Sequence, residues 1–303
     1  MPSLVCSEMC IRDSFLAVAA LMNPGDEAII PTPYWVTYSE QPRLVGGEPI
    51  IVETRPENGL KLTAAEFRAA ITPQTRMLFL CSPSNPSGAV YSRDELAALA
   101  EVAVEYGIYV LSDEIYEKLV YDGAEHHSIA ALNPEIKALS IVVNGVSKAY
   151  SMTGWRIGYT GASAEIIGGM NKVQSQEVSH PSSMSQKAAV EALDGPQQSV
   201  EEMRQAFDER RRYMCERLNA IAGIECALPQ GAFYAYPDVT AYYGDRCADS
   251  VALCEYLLGE GLVACVPGAG FGTREHIRLS YATSMELIAK AMDRVEKALG
   301  ELA

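Results

Sequence analysis

The chain has 303 residues, 49% hydrophobic and 21% charged, which suits a folded α/β protein of one or two domains and lies far from the disordered range. Its 24 basic and 39 acidic residues leave a formal charge of −15, a balance that repels nucleic acid and anionic membrane and excludes both as expected partners. Eight cysteines without a CxxC pair read as reduced thiols of a cytoplasmic protein, and four histidines, of which only His126 and His127 adjoin, give no metal-ligand spacing.

In chain order, the apolar stretch from Phe15 to Met22 is too short to span a bilayer and runs into the turn Asn23-Pro24-Gly25-Asp26, so it reads as the end of a packed helix. Short apolar runs then alternate with helix-period segments. Ala28 to Ile30, Pro49 to Val52, Met77 to Leu80, Ile108 to Leu111, Ser140 to Val143 and Arg156 to Tyr159 suit strands of a mostly parallel sheet, buried on both faces by helices. Thr63 with Glu66 and Ser92 with Glu95 are capping-box pairs that open two of those helices. After about Gly195 the texture changes. Ser199 with Glu202 is expected to open a long charged helix to Ala222, followed by a strand at Gly231 to Tyr236, a helix at Ser250 to Leu258, a glycine-rich loop, a strand at His276 to Ser280 and a last helix from Met285. This pattern implies a smaller α+β unit packed on the first.

Four local sequences can carry chemistry. Ser82-Pro83-Ser84-Asn85-Pro86-Ser87-Gly88 has ordinary turn composition, yet Asn85 falls at a carboxyl strand end, where α/β sheets place ligands. Ser112-Asp113-Glu114-Ile115-Tyr116 follows the next strand. Asp113 there is either a helix N-cap or a carboxylate that keeps a heterocyclic nitrogen protonated, and Tyr116 would face the same way one helical turn on. Lysines are nearly always solvated, but Lys148 in Asn144-Gly145-Val146-Ser147-Lys148 lies between a strand end and an apolar stretch, where desolvation would lower its pKa and allow a Schiff base with a carbonyl. Arg278, inside the apolar run Ile277 to Tyr281, needs either an internal acid or the carboxylate of a ligand.

Taken in order, Asn-Pro-x-Gly, Asp-x-x-Tyr, Ser-Lys with Arg eight residues on, and Arg-Leu-Ser-Tyr-Ala-Thr resemble the class I/II aminotransferases of the aspartate aminotransferase superfamily, fold type I. The run from Ser147 to Tyr159 and Pro33-Tyr34-Trp35-Val36 are similar to its bacterial aspartate/aromatic branch. The resemblance implies a pyridoxal 5'-phosphate cofactor and transfer of an amino group from an L-amino acid, with aspartate expected, to a 2-oxo acid such as 2-oxoglutarate. It implies that Lys148 forms the Schiff base and shuttles the proton, that Asp113 pairs with the pyridinium nitrogen, and that Asn85 and Tyr116 hydrogen-bond the phenolic oxygen. Ser147 and Arg156 would hold the phosphate, Trp35 would stack on the ring, and Arg278 would clamp the substrate carboxylate. A homodimer is implied as well.

The resemblance starts near Ser14 or Phe15. Residues 1–13 read as an atypical leader in place of the family's opening segment, which is expected to weaken phosphate binding. The expected division is therefore 1–13 leader, 14–195 large cofactor-binding domain and 196–303 small C-terminal domain. Two competing readings remain: a cysteine–sulfur β-lyase of the same fold, which would release pyruvate without an oxo acid, and a cofactor-binding module without turnover.

Overall fold

A computed structural model describes residues 2–7 and 10–302, with side chains from Ile11 to Leu302. Met1, Glu8 and Met9 of the leader, and the thiols of Cys6 and Cys10, lie outside what is described. The leader enters the fold through its backbone: β1 (Pro2–Ser7) and α1 (Cys10–Leu21) come first, and α1 crosses the boundary expected at residue 14. Next come β2 (Glu27–Pro31), α2 (Glu40–Leu44), β3 (Glu48–Val52), α3 (Ala64–Ala70), β4 (Thr75–Cys81), α4 (Arg93–Tyr106), β5 (Tyr109–Asp113), α5 (Pro134–Leu139), β6 (Ser140–Gly145) and β7 (Gly158–Ser163). Helices α6 (Ala164–Glu177) and α7 (Ser183–Asp194) complete this part.

The seven strands form one sheet in the order β1-β7-β6-β5-β4-β2-β3. Strands β2 to β6 pair in parallel, while β7 runs antiparallel to β6 and β1 antiparallel to β7. The alternation of side chains explains why the runs are apolar throughout. Ala28, Ile30, Met77 and Phe79 pack with Leu16 of α1 and Met170 of α6 on one face. Ile29, Leu78 and Leu80 pack with Leu96 and Leu99 of α4 on the other. Both capping boxes form as expected, at Thr63/Glu66 and Ser92/Glu95.

The C-terminal part contains α8 (Gln198–Asn219), β8 (Tyr234–Ala235), α9 (Ser250–Gly259), β9 (Val266–Pro267), β10 (Ile277–Ser280) and α10 (Met285–Gly300), with a three-stranded sheet in the order β8-β10-β9. Three expectations are corrected here. Helix α8 starts at Gln198 behind Gln197, with no side-chain cap, so Ser199 lies inside its first turn. The strand expected from Gly231 shrinks to Tyr234–Ala235, because Ala232 has φ 59°, a left-handed conformation that breaks an extended run. The strand expected from Arg156 begins at Gly158, since Arg156 itself is left-handed at φ 52°. Ile115, Tyr116, Leu119 and Tyr121, from the segment after β5, share one apolar cluster with α8, β10 and α10. The two expected domains, 14–195 and 196–303, thus meet over a common core.

Gly88 illustrates how closely they meet. Its φ is +69°, and a Cβ there would lie 2.4 Å from the Pro229 Cβ and 2.7 Å from the Gly231 carbonyl oxygen. Gly88→Ala is therefore expected to destabilise the chain by about 1–3 kcal/mol, combining left-handed strain with overpacking. Urea unfolding followed by circular dichroism checks this, with a lowered midpoint expected at unchanged slope.

Candidate active site

The carboxyl ends of the parallel strands open onto a cavity of about 310 Å3. Trp35, Asn85, Asp113, Tyr116, Ser147, Lys148, Arg156 and Arg278, all singled out in the sequence, line it together. A cavity of this size is at the lower end of small-molecule pockets.

Asp113 ends β5 and lies 5% exposed on the cavity floor. No helix follows it, so the N-cap reading fails; its Oδ1 instead accepts the Ile115 N–H at 3.1 Å within a turn. Oδ2 accepts the Tyr38 hydroxyl at 2.7 Å. Burial pushes the Asp113 carboxyl above its ordinary pKa, opposed by the bonds from Tyr38 and Ile115 and by the charge of Lys148. A buried carboxyl whose charged form is favoured by two donors and a nearby cation is suited to face a further cation, which would lower its pKa again. Tyr38→Phe removes one of those donors and is expected to raise the Asp113 pKa further. A carbon-13 NMR titration of labelled aspartate should show that resonance titrating at higher pH than in the unvaried chain.

Lys148 follows β6 and is half-buried, with its Nζ 5.8 Å from the Tyr116 ring centroid and 5.6 Å from that of Phe233. Those rings and the adjacent Asp113 give it a mixed apolar and anionic setting. Ser147 is half-buried beside it. Arg156 is exposed at the rim, where its left-handed backbone and a bond of 2.6 Å from Nη1 to the Thr153 carbonyl aim the side chain. Trp35 stands edge-on to Tyr38, with ring centroids 5.5 Å apart.

Arg278 reaches across from β10. Its Nη1 donates to Asn85 Oδ1 at 2.8 Å, and its guanidinium lies 4.4 Å from the Tyr234 ring centroid and 4.9 Å from that of Phe271. Its Nε is buried and has no hydrogen-bond partner among the described residues. The charge inside the apolar strand thus has an amide and two ring faces around it, with donor capacity left over for an anion.

Sequence reasoning missed Tyr38, Cys81 and Tyr234, which also line the cavity. Tyr38 lies three residues after Trp35, a spacing that could have flagged it, and Tyr234 lies within the aromatic run of β8. Burial raises the Cys81 thiol pKa, so this cysteine is a neutral wall. Tyr116 is in a turn rather than a helix, and its hydroxyl is 2.8 Å from that of Tyr234. Behind the site, Glu114, Glu117 and His126 bring their ligand atoms within 4.8 Å of one another, a convergence that the sequence spacing did not reveal. His126 Nε2 and the hydroxyls of Ser112 and Ser128 hydrogen-bond Glu114, which explains how its carboxylate is tolerated at 3% exposure.

A family model described as aminotransferase class I and II matches residues 10–295. The chain is 50% identical over 278 residues to the aspartate aminotransferase of Bacillus sp. (strain YM-2), covering 91% of this chain and 71% of that protein. Among solved structures it is similar to the aspartate aminotransferase from Rhizobium meliloti, with TM-score 0.94 and 42% identity over 98% of this chain and 76% of that one. The aromatic aminotransferase from Pyrococcus horikoshii OT3 also superposes with TM-score 0.94, at 37% identity over 99% of this chain and 80% of that one.

Proposed function

The chain belongs to the class I and II aminotransferases, and from that membership we propose that it holds pyridoxal 5'-phosphate in the cavity around Lys148 and moves the amino group of aspartate to a 2-oxo acid such as 2-oxoglutarate. The observation that carries the reading is the convergence of eight residues, picked from the sequence alone, on one cavity. Bound there, the cofactor would supply an aldehyde that condenses with amines and a ring that accepts the electrons of a broken Cα–H bond.

The chain's own groups match what such a reaction requires. The amine of Lys148 would hold the aldehyde carbon and, once displaced by substrate, take the proton from the substrate Cα and return it. Asp113, buried at the end of β5, would pair as a carboxylate with the ring nitrogen and keep it protonated. Asn85, whose oxygen is engaged by Arg278, would present its amide nitrogen as a donor to the phenolic oxygen, beside the hydroxyl of Tyr116. Ser147 and Arg156 would hold the phosphate, and Trp35 would cover the ring. The unpartnered Nε of Arg278, together with its remaining guanidinium N–H groups, offers a fork for the substrate α-carboxylate.

Aspartate as donor rests on the names of the bacterial relatives, while the archaeal structure of an aromatic aminotransferase shows that the same fold serves a second side-chain class. A homodimer is supported by large apolar side chains left at the surface, among them Leu44, Trp155 and Met184. Cytoplasmic location is supported by the free thiols of Cys81, Cys215, Cys226, Cys247, Cys254 and Cys265. Among the described residues no helix is long and apolar enough to cross a membrane.

Cofactor loading, borohydride reduction and peptide mapping test the site, with the label expected on Lys148. Aspartate added to the loaded protein is expected to bleach the visible band and release oxaloacetate. Release of pyruvate from a cysteine conjugate without any oxo acid would instead support the lyase.

A further inference from the structure

Tyr234 touches both halves of the proposed site, from an element that the sequence motifs do not include. It lies in β8, 6% exposed, 118 residues from Tyr116 in the chain, yet the two hydroxyl oxygens are 2.8 Å apart. Its ring face carries the Arg278 guanidinium at 4.4 Å. Burial holds both phenols above their ordinary pKa, so each keeps its proton. Two neutral hydroxyls at this distance share one hydrogen bond: one donates, and the other is left with a proton for a different acceptor.

Cations face both rings, Arg278 at 4.4 Å from the Tyr234 ring centroid and Lys148 at 5.8 Å from that of Tyr116. The closer cation favours Tyr234 as the donor, since it stabilises a partly negative oxygen on that ring more strongly. Tyr116 then accepts, and its own O–H is free to point into the cavity that it lines.

We propose that Tyr234 is a positioning residue: its hydroxyl turns the Tyr116 O–H toward the cofactor's phenolic oxygen, and its ring fixes the Arg278 guanidinium for the substrate carboxylate. The inference rests on the cofactor and substrate reading given above. It goes beyond that reading by assigning one residue to two separable tasks, which two substitutions divide.

Tyr234→Phe removes the hydroxyl and keeps the ring. A donor aimed at the phenolic oxygen stabilises its anion and helps the bound group release its proton, so weakening that donor moves the release to higher pH. The pH midpoint of the visible absorption of the loaded protein is expected to rise by about 0.5–1 unit, while the affinity for a dicarboxylate substrate analogue stays within about twofold. Tyr234→Leu removes the ring as well, and analogue affinity is then expected to fall by roughly 3- to 30-fold. In a Tyr116→Phe background, Tyr234→Phe should produce no further shift of the midpoint, since the hydroxyl acts only through Tyr116.

An unmoved midpoint in Tyr234→Phe, or a shift that persists without the Tyr116 hydroxyl, overturns the first task. Unchanged analogue affinity in Tyr234→Leu overturns the second. If the leucine variant does not fold, Tyr234→His keeps a ring for Arg278 and should retain analogue affinity, and its loss there overturns the second task instead. Failure of the unvaried chain to show a visible cofactor band would overturn the site reading itself, and is distinguishable from all of these.

Discussion

Lys148→Ala is expected to abolish transamination and, with it, the visible absorption of bound cofactor. The expected loss of turnover is at least about 10³-fold, because in the proposed function one amine would serve both as covalent anchor and as the group that moves the proton, and general acid–base catalysis alone contributes about 10²–10⁴. No other lysine is expected to substitute. Among the described residues Lys148 is the only lysine lining the cavity, beside Asp113 and Tyr116, whereas Lys61 is tied to Glu95 at 2.5 Å on another face. Lys148→Arg should fail as completely, since a guanidinium does not deprotonate to a free amine. Steady-state assay and spectra of both variants after cofactor loading check this. A borohydride-stable cofactor bond retained in the alanine variant would move the anchor to a different lysine.

The sheet was legible because its strands are buried on both faces, which forces continuous apolar runs such as Met77 to Leu80, and because parallel connections place functional side chains just after them. For that reason Asn85 and Lys148 follow strands β4 and β6, and Asp113 ends β5. Backbone irregularities were not legible: nothing in Ala232 or Arg156 announces a positive φ, and each cost an expected strand its first residues. Long-range pairs were hidden for a different reason. Tyr38 with Asp113, Tyr116 with Tyr234 and Asn85 with Arg278 are 75, 118 and 193 residues apart. A tyrosine beside apolar neighbours carries no local sign of which hydroxyl or carboxylate it will meet. The leader's pairing as β1 was hidden as well, because an edge ladder is made by backbone groups that are common to every sequence.

Arg278→Ala should separate substrate binding from cofactor binding. Among the described residues Asn85 and the rings of Tyr234 and Phe271 surround the guanidinium and no ion pair to it is formed, so its charge is available to an arriving anion. Removing one member of a buried charge pair costs about 2–5 kcal/mol, which corresponds to a loss of substrate affinity of roughly 30-fold or more. The cofactor's own contacts would come from Asp113, Ser147, Lys148 and Arg156, so the visible band should remain in the variant. Arg278→Lys tests geometry against charge: a point charge restores part of the attraction but not the planar fork, so affinity should lie between that of the alanine variant and the unvaried chain. Equilibrium titration with a dicarboxylate analogue, followed in the visible band, measures both variants. An alanine variant that loses the cofactor yet binds the analogue normally would make Arg278 a structural residue. Full recovery in Arg278→Lys would show that charge alone, without the fork, holds the carboxylate.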